Sequence, residues 1–124
     1  MRMIRISKQE WRNNPDNGFI RYVIFDDEGA SVILEIYDKP EKFGMRAFMY
    51  SLWVDEQARK QGKGTELIKV CRDLTTCNGI DSLFLEFEIG NKKWVKEWYE
   101  RNGYRVVARY PTGNYLMQNQ MIIR

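Results

Sequence analysis

Ser51-Leu52-Trp53-Val54-Asp55-Glu56-Gln57-Ala58-Arg59-Lys60-Gln61-Gly62-Lys63-Gly64-Thr65 changes character twice. It leaves a β-rich run, crosses a polar stretch and enters a segment where Leu67, Ile68, Cys71 and Leu74 recur at helical spacing. Glycines let the backbone turn tightly and approach a ligand closely. The first turn of the helix that follows has N–H groups without intrahelical acceptors and a partial positive charge. Together they make an anion site, for which a phosphate is the natural occupant. Arg59, Lys60 and Lys63 add formal charge nearby. The pattern is neither a Walker loop nor the dinucleotide Gly-x-Gly-x-x-Gly. Taken alone, a glycine-rich turn before a core helix, with solvated lysines, explains it equally well.

Outward from this stretch, the period alternates between that of strands and that of helices. Upstream, Phe19 to Phe25 and Ser31 to Tyr37 are β-rich runs around the turn Asp26-Asp27-Glu28-Gly29, which reads as a hairpin. Arg46 to Val54 is a third strand. Asn13-Asn14-Pro15-Asp16-Asn17-Gly18 is a dense turn cluster that sets off a short N-terminal piece. Downstream, Asn78-Gly79 stops the first helix. Ser82 to Ile89 alternates, with Leu83, Leu85 and Phe87 on one face and Phe84, Glu86 and Glu88 on the other. Asn91 to Arg101 is a second helix with Trp94, Val95, Trp98 and Tyr99 along one side. Tyr104 to Tyr110 and Tyr115 to Ile123 form a terminal hairpin around Pro111-Thr112-Gly113-Asn114. The order predicts a mixed α/β sheet with helices packed on it.

The 124 residues suit a single domain over 1–124, and 44% hydrophobic with 14% aromatic residues is enough for a core. A net charge of +3 falls well short of a dedicated nucleic-acid binder. The absence of histidine removes Ser-His-Asp triads, Cys-His dyads and every His-ligated metal site. Cys71 and Cys77 lie on one helix, about 9 Å apart along its axis and facing different ways, so they do not bridge. Reduced thiols, no apolar run near the ~20 residues of a membrane span and no leader-like N-terminus lead us to expect a cytoplasmic protein.

Three signals in order then resemble one family. Arg59-Lys60-Gln61-Gly62-Lys63-Gly64 is similar to the Gln/Arg-x-x-Gly-x-Gly/Ala loop of the GNAT superfamily of acyl-CoA-dependent N-acetyltransferases, with Val54 closing the preceding strand. Trp98-Tyr99-Glu100-Arg101-Asn102-Gly103-Tyr104 resembles that family's Phe-Tyr-Glu-Lys-x-Gly-Phe helix end, and Tyr115-Leu116-Met117 its Tyr-x-Met strand. The resemblance covers about residues 46–120. Glu56 and Gln57 stand where many members carry proline and glutamate. Asn91 lies one residue further from Tyr99 than the usual asparagine. The region between Ile6 and Phe19 is too short for the two helices that wall the acceptor site in most members.

The resemblance implies a GNAT-like α/β fold: a mixed, mostly antiparallel sheet with splayed central strands, two main helices, and N-terminal helices missing or reduced. It implies acetyl-CoA as acyl donor and no metal. The backbone of Leu52, Trp53 and Val54 would hold the pantetheine arm as an added strand. Backbone N–H groups from Gln61 to Thr65 would hold the pyrophosphate, supported by Arg59 and Lys60, and Asn91 would be a further cofactor contact. Tyr99 matches the position that serves as acid to the leaving thiolate. A lysine-like amine is almost wholly protonated at neutral pH, with a pKa of about 10.4, so a base or water chain must take its proton. Glu86 is the candidate base on its strand face, and Glu88 the second choice. The acceptor is an amine, with a protein or peptide amine ranked slightly above a small one, and a homodimer that completes the site is an open option. The competing readings are a non-catalytic acyl-CoA-binding or interaction module of the same fold and, far behind, a small RNA-binding domain.

Overall fold

The computed structural model describes residues 3–12, 16–55 and 62–121. The described residues form a sheet of seven strands: β1 (Arg5–Trp11), β2 (Phe19–Phe25), β3 (Ala30–Tyr37), β4 (Ala47–Val54), β5 (Ser82–Phe87), β6 (Arg105–Arg109) and β7 (Tyr115–Gln120). Their spatial order is β1-β2-β3-β4-β5-β7-β6, antiparallel throughout except between β4 and β5. Two α-helices, α1 (Lys63–Cys77) and α2 (Lys93–Arg101), follow β4 and β5. This is the α/β architecture expected of the sequence.

Turn chemistry sets the first hairpin. Asp26 Oδ1 accepts the N–H groups of Glu28 (2.8 Å) and Ala30 (3.0 Å), and Gly29 takes φ +87°. An Asx turn closed by glycine reverses the chain without strain. Ladder pairing then runs unbroken from Phe19↔Tyr37 to Phe25↔Ser31.

Alternation puts one residue of every pair on the same face. Ile20, Tyr22, Ile24, Val32, Leu34, Met49, Leu83, Leu85 and Met117 make the main core, covered by Leu67, Ile68 and Cys71 of α1. Truncating Leu67, fully buried there, to alanine would cost about 2–5 kcal/mol. Val95, Trp98 and Tyr99 of α2 pack against the same core. Trp94 does not: it stays 56% exposed, although it lies within the aromatic stripe read from the sequence. Asn78 ends α1 by donating its Nδ2 to Leu74 O (2.7 Å), with Gly79 at φ +76° beyond it.

Both helices therefore lie on one face. The other carries a small cluster of Met45, Phe84 and Leu116 with Tyr37, Phe48, Ala108 and Tyr110. Between β1 and β2 no helix occurs among the described residues. β1 itself is exposed along its whole length and is held by its ladder to β2 and by Trp11 stacked on Phe19 at 4.9 Å. Its charged side chains suit an edge strand. The sequence reading assigned no strand to this piece.

Candidate functional site

The site forms where β4 and β5 part. Among the described residues Phe48↔Phe84 is the sole ladder pair between these parallel strands. A bulge lies just beyond it in β4: Ser51 takes φ +53°, and the register with β3 slips between Ser31 and Ile33. An extra residue bends and twists its strand. Leu52 and Val54 lean on the helix-side core, while Trp53 points to the other face. Trp53 is 55% exposed, and its indole Nε1 donates to Asp55 Oδ1 (2.7 Å).

α1 starts at the end of this opening. Gly62 takes φ +75°, where glycine is at ease and a side chain is strained. Glu66 N–H to Gly62 O (3.0 Å) is the first bond of the helix, so Lys63, Gly64 and Thr65 have no helical acceptor for their N–H groups. Gly64 has a second role that the sequence did not reveal. A Cβ there would meet the Trp98 ring of α2 at 3.1 Å and Val54 Cγ2 at 3.9 Å. The end of β4, the start of α1 and α2 thus meet at one glycine.

The Lys63 side chain turns inward, away from the role of a solvated phosphate ligand. Its Nζ lies 3.4 Å from Asp26 Oδ2 and also bonds Glu28. Burial raises the pKa of Asp26, but the N–H groups of Glu28 and Ala30, with Lys63, more than offset this and leave it below the ordinary carboxylate range. Arg59, Lys60 and Gln61 lie outside the described residues.

Tyr99 sits on α2 beside Trp98 and Tyr104, with ring centroids at 5.1 and 5.8 Å. Its hydroxyl has no hydrogen-bond partner among the described residues, and burial pushes its pKa up to about 12. The group is thus a neutral donor at any physiological pH. Glu86 lies on the opposite face of the sheet, exposed, on the same side of β5 as Phe84. Its Oε2 accepts Asn114 Nδ2 (2.7 Å), and Asn114 Oδ1 accepts Ile89 N–H (3.1 Å), so the β6–β7 turn steadies the end of β5. Asn91 is exposed in the turn before α2, where its N–H donates to Glu88 O (3.0 Å).

One polar cluster on the face opposite α1 and α2 escaped the sequence reading. Glu35 is buried on β3. Its Oε2 accepts Arg21 Nε (2.7 Å) and Tyr50 Oη (2.7 Å), and its Oε1 accepts Tyr37 Oη (3.1 Å). Burial and the neighbouring carboxylate raise the pKa of both tyrosines. A single inward glutamate in a β-rich run, with tyrosines two residues on and across the ladder, was the only signal. No helix among the described residues is long and apolar enough to cross a membrane. No group of three His, Cys, Asp or Glu among them is placed to hold a metal ion.

The sheet thus opens between two parallel strands, and a glycine-led helix start follows the end of one of them. A family model described as an acetyltransferase (GNAT) domain matches residues 11–106, and the chain belongs to the GNAT acetyltransferase family. The acetyltransferase of Bacillus subtilis in complex with CoA superposes with a TM-score of 0.68 at 10% identity, covering 98% of this chain and 100% of that one. A GNAT-family acetyltransferase of Staphylococcus aureus gives 0.64 at 16% identity, with 84% and 68% covered. The PaiA N-acetyltransferase of Thermoplasma acidophilum, in complex with coenzyme A, gives 0.63 at 16% identity, with 81% and 59% covered. At these identities the likeness is one of fold. No curated protein matches the chain.

Proposed function

We propose that the chain is an N-acetyltransferase that passes an acetyl group from acetyl-CoA directly to a primary amine. The observation that carries this is the Phe48↔Phe84 pair, the sole one between β4 and β5 among the described residues, beyond which β4 leads to the Gly62–Thr65 helix start; Tyr99, on α2 beside the Trp98 ring that meets Gly64, has no hydroxyl partner among those residues. The N–H groups of Lys63, Gly64 and Thr65 suit a diphosphate, and the backbone of Leu52, Trp53 and Val54 suits a pantetheine arm laid as an added strand. Gln61, Arg59, Lys60 and Asn91 complete the proposed cofactor contacts. Acetyl-CoA supplies the activated thioester.

The amine nitrogen bonds to the acetyl carbon, the carbon–sulfur bond breaks and the amine proton leaves. Tyr99 Oη, neutral and half-buried, donates a hydrogen bond to the departing sulfur. Glu86, on the opposite face, takes the amine proton directly or through water. The face that carries neither α1 nor α2 favours an acceptor that brings its own bulk, a peptide or protein amine, over a small amine that needs enclosure. The same open face supports a second reading, an acyl-CoA-binding module without turnover.

Titration calorimetry with acetyl-CoA on the wild type and on Gly62→Glu tests the proposal. Micromolar binding that the variant loses supports it, and amine-dependent release of free CoA separates the enzyme from the non-catalytic module. A wild type that binds no acetyl-CoA overturns both readings.

A further inference from the structure

The start of α1 is braced by a turn distant in sequence. The Lys63 side chain is 1% exposed at the first position of the helix, and the Asp26 side chain that pairs with it is 3% exposed. A buried cation at a helix N-terminus is doubly disfavoured, by lost hydration and by the helix dipole. It is tolerated here because Asp26 and Glu28 converge on it. Asp26 also holds the β2–β3 turn together through its other oxygen, by the N–H groups of Glu28 and Ala30. The same turn holds the end of β4: Asp55 N–H donates to Gly29 O (2.8 Å), and Gly29 has no room for a Cβ against the Asp55 carboxylate. Both feet of the connection from β4 to α1, Asp55 and Lys63, are thus tied to one rigid turn.

We propose that Asp26 is a positioning residue. Through Lys63 it fixes where the N–H groups of Gly62–Thr65 point, and so sets affinity for a diphosphate without touching it. Lys63 carries this signal as a strut, since its buried ammonium is engaged by the two carboxylates. The affinity part of this inference rests on the reading of that helix start as the CoA diphosphate site. The bracing itself does not.

The test compares the wild type with Asp26→Asn, and with Glu28→Gln as the milder change at a half-exposed partner. Amide hydrogen exchange without ligand reads the brace, and calorimetric titration with coenzyme A and with pantetheine, which lacks the diphosphate, reads affinity. Asp26→Asn should speed exchange at Glu66, whose N–H bonds Gly62 O, and at Asp55, whose N–H bonds Gly29 O, while leaving Val32 and Leu34 of β3 protected. It should weaken coenzyme A binding about tenfold and leave pantetheine binding unchanged. Glu28→Gln should move the same readings the same way by less. Unchanged exchange at the helix start in both variants overturns the brace, even if coenzyme A binds. An equal loss for both ligands overturns the positioning role, because it marks general loosening. Faster exchange in a protein that binds no coenzyme A supports the brace and sinks the cofactor reading.

Discussion

The six-membered ring of Trp98 lies 3.1 Å from the point where any residue but glycine at position 64 would carry its Cβ. Gly64 is at an ordinary helical φ, so alanine there is strained by the ring and not by the backbone. Gly64→Ala should cost about 1–2 kcal/mol in denaturant unfolding, because overpacking outweighs the helix propensity gained. In a Trp98→Leu background the same change should become neutral or stabilising. A cost that persists there would show that the ring is not its cause.

Gly62 is the opposite case. Nothing lies within 4 Å of its missing Cβ, but its φ is +75°. Gly62→Ala should cost about 1–2 kcal/mol through the left-handed backbone alone. Gly62→Asn should cost less, since asparagine tolerates that region. Equal costs for the two variants would remove backbone conformation as the explanation.

Tyr99→Phe keeps the ring and its packing and removes one hydroxyl. Acetyl transfer should fall about a hundredfold in kcat, with affinity for acetyl-CoA unchanged by calorimetry. Because burial pushes the Tyr99 pKa up to about 12, the wild-type rate should show no decline from its ionisation until the pH nears that value. A drop of that size in binding instead of turnover would reassign the residue to cofactor packing.

The Asp26 pairing predicts an acid dependence with a definite sign. Its folded pKa is depressed, so the stabilisation is present above the unfolded value and is lost as pH falls through the folded one. The stability gap between wild type and Asp26→Asn should be widest near neutral pH and shrink below pH about 4, as the carboxyl takes up its proton. Urea midpoints across that range measure it.

The two thiols should differ sharply. Cys71 is fully buried and burial pushes its pKa up to about 12, while Cys77 is exposed at the end of α1. Iodoacetamide should label Cys77 in the folded protein and Cys71 only after unfolding. Labelling of Cys71 at a rate comparable to Cys77 would contradict this burial.

Much of the frame was legible because it obeys local rules. The Asp26–Gly29 turn, the alternation of Leu83 to Phe87 and the change of period after Gly62 are set by neighbours within a few residues, through φ preferences and side-chain direction. The glycine-led helix start was legible for the same reason. Trp94 was misplaced because helical spacing names a face without saying how far the sheet beneath it extends. β1 went unread because an edge strand is fixed by its partner's backbone and not by any pattern of its own.

The sequence by itself determined every strand but β1, both α-helices, their order and the residue types that the proposed acyl-transfer site needs, since each follows from chain-local chemistry. Only the tertiary structure decided that Lys63 faces inward to Asp26 and Glu28, that Gly64 makes room for Trp98, and that Glu35 gathers Arg21, Tyr37 and Tyr50. Apart from Glu35 and Tyr37, those partners lie far apart along the chain and meet through the strand order. The direction of a side chain at such a meeting is set by the cost of burying an unpaired charge or overlapping a ring, which no single segment can express.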